Sequence, residues 1–442
     1  MEEKKQNDND KEKTELPEIQ KDDSSGDKKE DYHFIKEVIK ERPVDARAVW
    51  IKIGCIIGSA VLFGLVAAFV FVQFLPVVET NKKPEQVDLG TDDPDSTAET
   101  TETPEVTETP AETPAESEEL DIASYKSIYV QMNQVAQTAM KALVTVTGVT
   151  SSEDWFNTTT ESTKQATGLI VANNGQELLI VTEYRAVDTV DRVMITFWDG
   201  SIVDGRYQKH DVNTGFTVVK VALADIEAST QEGLSIAPLG NSYSVNQGEP
   251  VIAIGSPMGY SDSVVYGQII SVTNTVSTFD MQYNLLLTNI QGSSTGSGAL
   301  VNLDGEIVGI ISQNFSDENN KNVITGLAIS QLKSMIETLS NNGDIPYLGI
   351  KGENVTSEIS KQTGIPKGVY VNEVGADSPA LQAGIQNADV LIKVNGEDVE
   401  TVSRYHDKLD KAKPGEVVKV TVMRKGAEGY VEFEFDVTVG AQ

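Results

Sequence analysis

Cysteine, histidine and positive charge are all scarce in this 442-residue chain, and each scarcity removes a class of function. Cys55 is the only cysteine, so no intramolecular disulfide can form and the folded parts must rest on apolar cores. A single thiol and three scattered histidines, His33, His210 and His406, do not supply a ligand set of zinc-site spacing. Lysine and arginine total 35 against 67 aspartates and glutamates, for a formal net charge of −32. Nucleic-acid binding needs positive surface to displace counterions, so that class is set aside. The glycines between Gly292 and Gly298 fall between strand-like runs and not ahead of a helix, which argues against a phosphate cradle. No metal or cofactor is expected.

One stretch carries no positive charge at all. Between Pro84 and Asp121 there is no lysine or arginine, and there are 14 acidic residues punctuated by Glu102-Thr103-Pro104, Glu108-Thr109-Pro110 and Glu112-Thr113-Pro114. Low hydrophobicity with high net charge predicts a disordered, extended stalk over 79–122, with a reach on the order of 100 Å. Ahead of it, Ile53 to Val78 is a run of 26 residues without a charge. About 20 apolar residues suffice to cross a bilayer as a helix, so 49–78 is expected to span a membrane. Lys36, Lys40, Arg42, Arg47 and Lys52 precede the span, against Lys82 and Lys83 after it. That bias places residues 1–48, a mixed-charge segment expected to be disordered, in the cytoplasm and the rest outside.

The remainder reads as mainly β. Runs rich in Val, Ile and Thr recur between turn signals at Ala142–Val149, Leu178–Thr182, Val193–Phe197, Thr217–Ala222, Val251–Ile254 and Ala299–Val301. Asp304-Gly305 between apolar runs signals a two-residue hairpin, and Asn174-Gly175 a similar turn. Leu332, Met335, Ile336 and Leu339 fall at helical spacing, so the β region closes on an amphipathic helix.

The motifs in this region follow a known order. Ala166 to Val171 (ATGLIV), Gly248 to Gly259 (GEPVIAIGSPMG), Gly267 to Ser271 (GQIIS), Thr288 to Ile310 (TNIQGSSTGSGALVNLDGEIVGI) and Gly326 to Ser330 (GLAIS) resemble successive segments of the HtrA-type (Deg) trypsin-like serine proteases. The resemblance implies a chymotrypsin-like double β-barrel over 123–341, and family members often assemble as trimers. It also identifies three positions where the family carries its catalytic triad. The histidine motif corresponds to LLIVTEYRAV and has Arg185 in the histidine's place; the aspartate motif corresponds to DVNTGFTVVKV and has Gly215. The nucleophile loop is one residue short, so the serine's position falls on Gly296 counting back from Leu300 and on Ser297 counting forward from Thr288. A serine needs an adjacent base, which a guanidinium cannot be, and glycine cannot orient an imidazole. His33 precedes the span, His210 stands just before the aspartate motif and His406 lies in the C-terminal region, so all three read as ordinary surface or loop residues.

From Ile345 the chain reads IPYLGI and then GIPKGVYVNEVGADSPALQAGIQNADVLIKVNGEDV. This resembles the PDZ domain that follows the protease in HtrA proteins, here 345–442. The resemblance implies that Tyr347, Leu348, Gly349 and Ile350 form a loop whose N–H groups receive a peptide carboxylate. Ser403 to Ala412 reads as the groove helix, on which Tyr405 and Leu409 either line the groove or pack in the core.

Three functions stay open on these residues. The first is a membrane-anchored extracytoplasmic HtrA homologue without hydrolysis that binds unfolded proteins or peptide C-termini in envelope protein quality control. The second is a serine endopeptidase working through Ser297. The third is a structural envelope protein that uses the barrels as an interaction surface.

Overall fold

A computed structural model describes residues 84–92, 122–153, 159–316 and 322–442, together with isolated positions between 47 and 64. Residues 1–82 and 83–442 form separate units. In the first unit Ile57 to Ser59, Val61, Leu62 and Gly64 are helical, with Ile57, Val61 and Leu62 exposed. Most of the expected span lies outside the described residues, and among those described no helix is long and apolar enough to cross a membrane.

Two closed six-stranded barrels follow a helix α1 (Ile122–Met140). The first comprises β1 (Leu143–Glu153), β2 (Thr159–Asn173), β3 (Glu177–Glu183), β4 (Arg192–Thr196), β5 (Ile202–His210) and β6 (Phe216–Ala222). The second comprises β7 (Pro250–Ser256), β8 (Ser263–Ser277), β9 (Gln282–Gln291), β10 (Ser297–Val301), β11 (Ile307–Ser312) and β12 (Val323–Ala328). They close in the orders β1-β2-β3-β6-β5-β4 and β10-β11-β12-β9-β8-β7, antiparallel throughout. All six apolar runs singled out in the sequence fall on strands.

Why several of those runs are continuous and not alternating follows from the packing. In β3, Leu178 and Ile180 enter the first barrel's own core, while Leu179 and Val181 enter a core shared between the barrels. In β7, Val251 and Ala253 belong to the second barrel's core, while Ile252 and Ile254 face the shared one. Strands covered on both faces have no polar side to show. Leu332, Met335, Ile336 and Leu339 also fill the shared core, at the start of and along helix α2 (Lys333–Ser340). Burying each is worth about 1.5–3 kcal/mol.

Two expectations change. Asp304-Gly305 does not make a two-residue hairpin: Asn302 N–H donates to the Glu306 carbonyl (3.0 Å), leaving three residues between them with Gly305 left-handed at φ +87°. The Asn302 side chain accepts from the Asp304 and Glu306 N–H groups and holds this wider loop. The acidic stretch, expected as a free stalk from its start, instead begins as a strap on the barrels. Val87 is buried in the shared core and exchanges two 2.8 Å hydrogen bonds with the Asn341 side chain. Asp92 pairs with Lys333, and Glu85 N–H donates to the Asn174 carbonyl. Val87 in the shared core, Leu89 packed against it and the Asp92–Lys333 pair hold residues 84–92 on the barrels. The rest of the stretch, 93–121, lies outside the described residues.

The C-terminal domain is a sheet in the order β14 (Ile350–Val355), β15 (Gly368–Val374), β16 (Val390–Val394), β18 (Val417–Gly426), β19 (Gly429–Thr438). The short β17 (Glu397–Asp398) pairs with β16, and β13 (Pro346–Tyr347) pairs with the terminal β20 (Gly440–Ala441). Helix α3 (Val402–Leu409) packs on this sheet, with Thr401 as its N-cap. Asp389, buried in this domain, receives both Nε and Nη2 of Arg424 at 2.7 Å.

Candidate functional site

The three triad-equivalent positions do come together at the barrel junction. β3 ends at Glu183 and a 3₁₀ turn, Tyr184–Ala186, carries Arg185. Glu183 pairs with Phe216 of β6, and Tyr184 N–H donates to the Gly215 carbonyl at 2.7 Å. Arg185 Nη2 reaches across to the Thr295 carbonyl of the nucleophile loop at 3.0 Å. These contacts bring the Arg185 turn against both the Gly215 turn and the 292–297 loop.

The side chains at these positions do different work. Arg185 is paired with the Glu183 carboxylate. Glu183 is buried, which pushes its carboxyl above the usual range, while Arg185 pulls it back. Gly215 sits at φ +73°, where a side chain would be strained. Ser297 is 2% exposed, and its Oγ accepts the Thr167 N–H at 2.9 Å. A Cβ at Gly296 would stand 2.4 Å from the Pro257 carbonyl, so no serine fits there unless the loop moves. The loop's own donors are also spoken for. Gly296 N–H donates to the Ser293 carbonyl (2.8 Å) and Thr295 N–H to Ser293 Oγ (3.2 Å). A nucleophile's oxyanion hole uses its own N–H and that of the residue two before it, so either alignment of the loop finds one of these donors engaged.

Of the histidines, His210 stacks on Tyr184 at 3.9 Å between ring centroids and exchanges a hydrogen bond with the Tyr207 hydroxyl. His406 is half-buried on helix α3 and lines a cavity of about 20 Å³ together with Asp211, Asp280, Met335 and Asp410. Among the described residues, no hydrogen bond joins either to Ser297.

In the C-terminal loop, three successive N–H groups converge on one carboxylate from inside the molecule. Leu348 N–H and Gly349 N–H both donate to Oδ2 of Asp280 at 2.8 Å, and Ile350 N–H donates to Oδ1 at 2.9 Å. Gly349 takes φ +86° to turn its N–H inward, the left-handed conformation that glycine adopts without cost. Tyr405 and Leu409 prove to be core residues, 1% and 2% exposed, yet the Tyr405 hydroxyl still reaches the site and donates to Asp280 Oδ1 at 2.5 Å. Asp280 belongs to the second barrel, at the tip of the β8–β9 hairpin. Burial pushes its carboxyl up, while the Gly349 N–H, the Tyr405 hydroxyl and the Ile350 and Leu348 N–H groups pull it back. Burial, and then Asp280, push the Tyr405 hydroxyl well above its ordinary range.

Sequence reasoning missed Glu183 and Asp280. Glu183 left a trace, a lone charge ending an apolar strand. Asp280 left none, since an aspartate in a hairpin turn is what any turn would carry.

Comparisons with known proteins agree with this architecture. A trypsin-like peptidase domain model matches residues 166–310, and a PDZ domain model matches residues 346–434. The serine protease Do-like HtrB of Bacillus subtilis (strain 168) is 30% identical over 282 residues, 59% of this chain and 59% of that protein. The serine protease Do-like HtrA of the same organism is 30% identical over 305 residues, 65% of each. The match thus spans less than two thirds of either relative's length. Among solved structures, the HtrA-type protease AlgW with decapeptide superposes with a TM-score of 0.53 at 18% identity, covering 70% of this chain and 98% of that one, a likeness of fold. With both domains matched in this order and HtrA proteins as its relatives, the chain is an HtrA-type homologue, a trypsin-like peptidase domain followed by a PDZ domain.

Proposed function

We propose that this protein is a non-hydrolysing member of the HtrA type, anchored in the membrane by residues 49–78, that binds unfolded proteins or peptide C-termini outside the cytoplasm in envelope protein quality control. The observation that carries the first part is the state of Ser297: a buried hydroxyl committed to the Thr167 N–H, with no hydrogen bond to an imidazole among the described residues. Loss of the nucleophile or the base in such a triad lowers turnover on the order of 10⁶-fold. What supports the second part is the convergence of three N–H groups on one carboxylate at Leu348–Ile350, which needs no particular side chain to persist.

One observation favours the endopeptidase reading. Glu183 and Ser297 line a common cavity, and a carboxyl raised by burial is a candidate base. That cavity holds about 10 Å³, however, which is room for about one water and not for a peptide. Fluorophosphonate labelling of the full chain, with casein hydrolysis alongside, separates the two. No labelling and no cleavage are expected. Labelling that disappears in Ser297→Ala defeats the non-hydrolysing reading.

A further inference from the structure

We infer that Asp280 is an internal ligand of the PDZ loop, and that a peptide C-terminus can be read only after the β8–β9 hairpin tip has left it. The inference rests on the reading of Leu348–Ile350 as a carboxylate site and adds a competitor to it.

The tip makes the bond set that a strand-adding peptide end would make. The Asp280 carboxylate accepts from three successive N–H groups, and its own N–H donates to the Ile350 carbonyl at 2.7 Å. Side chain and main chain of one residue thereby imitate the carboxylate and the amide of a terminal residue. Gln282, two residues on, accepts from the Asn354 side chain on β14, the strand along which a peptide would lie. The ring of Phe279 meets Tyr347 edge-on, 6.4 Å between centroids. To aim the carboxylate, Asp280 takes φ +62°, a region few non-glycine residues enter.

A second carboxylate of the molecule shows what a purely structural one does. Asp389 is as buried as Asp280 and is satisfied by a bidentate guanidinium from Arg424. Such a pair is fixed for the life of the fold. All four donors to Asp280 are neutral, and three are main-chain N–H groups forming a nest of the kind that accepts anions from outside. The two halves of this contact sit on different domains, so it can open without unfolding either. The same N–H groups cannot serve two carboxylates, so Asp280 and a peptide exclude one another. Peptide affinity is then reduced by the fraction of molecules whose tip is out, and capture of a peptide frees the hairpin from the PDZ domain.

The test uses the full chain, its Asp280→Ala and Asp280→Asn variants, and a short fluorescent peptide ending in valine as free acid or amide. Binding is read by anisotropy, and hydrogen exchange is read over Leu348–Ile350. In the native chain those amides are expected to be protected and the free acid to bind weakly. In Asp280→Ala the amides exchange, the free acid binds at least about tenfold tighter, as an open fraction of roughly one in ten predicts, and added free acid restores protection. Asp280→Asn keeps the shape without the charge and gains affinity to a lesser degree, which carries the test if the alanine variant does not fold. Equal free-acid affinity in native and variant chains, with the amide weak in all, overturns the internal ligand while leaving the peptide-reading site standing. Amides that exchange freely in Asp280→Ala with no preference for free acid in any form overturn the site reading, and the internal ligand with it.

Discussion

At the barrel junction the buried Glu183 carboxylate is held by a side chain, the Arg185 guanidinium; at the PDZ loop the buried Asp280 carboxylate is held by three main-chain N–H groups and one hydroxyl. The first region draws the triad-equivalent turns together, with Tyr184 N–H on the Gly215 carbonyl, but the Arg185 and Ser297 side chains have other work. The second needs little from its side chains. A function written in side chains is lost one substitution at a time, whereas a function written in backbone N–H groups persists as long as the loop conformation does. That conformation depends on Gly349 and on the wall formed by Ser378 and Tyr347.

The comparison can be broken most directly at Gly349. A Cβ there would meet Ser378 Cβ at 2.3 Å and Tyr347 Oη at 2.7 Å, on a left-handed backbone. Overpacking and left-handed strain together give an expected loss of about 3 kcal/mol or more for Gly349→Val, read as a fall in the urea midpoint. Native stability in that variant would mean the loop is not held by its wall.

Tyr405→Phe sharpens the comparison by removing the one side-chain donor to Asp280 among the described residues while leaving the N–H groups. A hydrogen bond to a charged group is worth about 1.5–3 kcal/mol, so a loss in that range is expected, with the PDZ loop's amides exchanging faster. An unchanged chain would show that the N–H groups alone hold the carboxylate.

The smallest effect is expected at Arg185. Arg185→Ala leaves Glu183 buried without its cation. Breaking a fully buried pair costs about 3–5 kcal/mol, but the Arg185 side chain is 40% exposed and screened by solvent, so about 1–2 kcal/mol is expected at neutral pH. Its sign with pH is fixed by burial having raised the Glu183 carboxyl. What that group contributes is fully present below the ordinary carboxyl range and is lost as pH rises through the raised value. The variant's deficit should therefore shrink as pH falls, because a protonated Glu183 does not need the arginine. A deficit independent of pH would show that Arg185 acts through its bond to the Thr295 carbonyl instead.

Much of the fold was legible because alternation, β-branching and turn residues are local signals. Val251–Ile254 and Leu178–Thr182 read as strands from composition, and Leu332, Met335, Ile336 and Leu339 as a helix from spacing. Helix α1 was not singled out in the sequence although Met132, Val135, Ala136, Ala139 and Met140 recur at three- and four-residue spacing; that stripe packs on the shared core, yet of its 19 residues only Ala136 and Ala139 are fully buried. The strap was hidden by its neighbours' charge, since Val87 and Leu89 are the only large apolar residues of 84–92 in an acidic run.

Taken alone, the sequence determined the order of the trypsin-like and PDZ domains and offered Arg185, Gly215 and either Gly296 or Ser297 as triad-equivalent positions, because each depends on residue identity at short range. Only the tertiary structure decided what meets what. Asp280 and Ile350 stand 70 residues apart, Arg185 and Thr295 stand 110 apart, and Thr167 and Ser297 stand 130 apart. A hydrogen bond leaves no pattern at such separations, since any turn aspartate, surface arginine or loop serine would look the same until the barrels close and the PDZ domain docks.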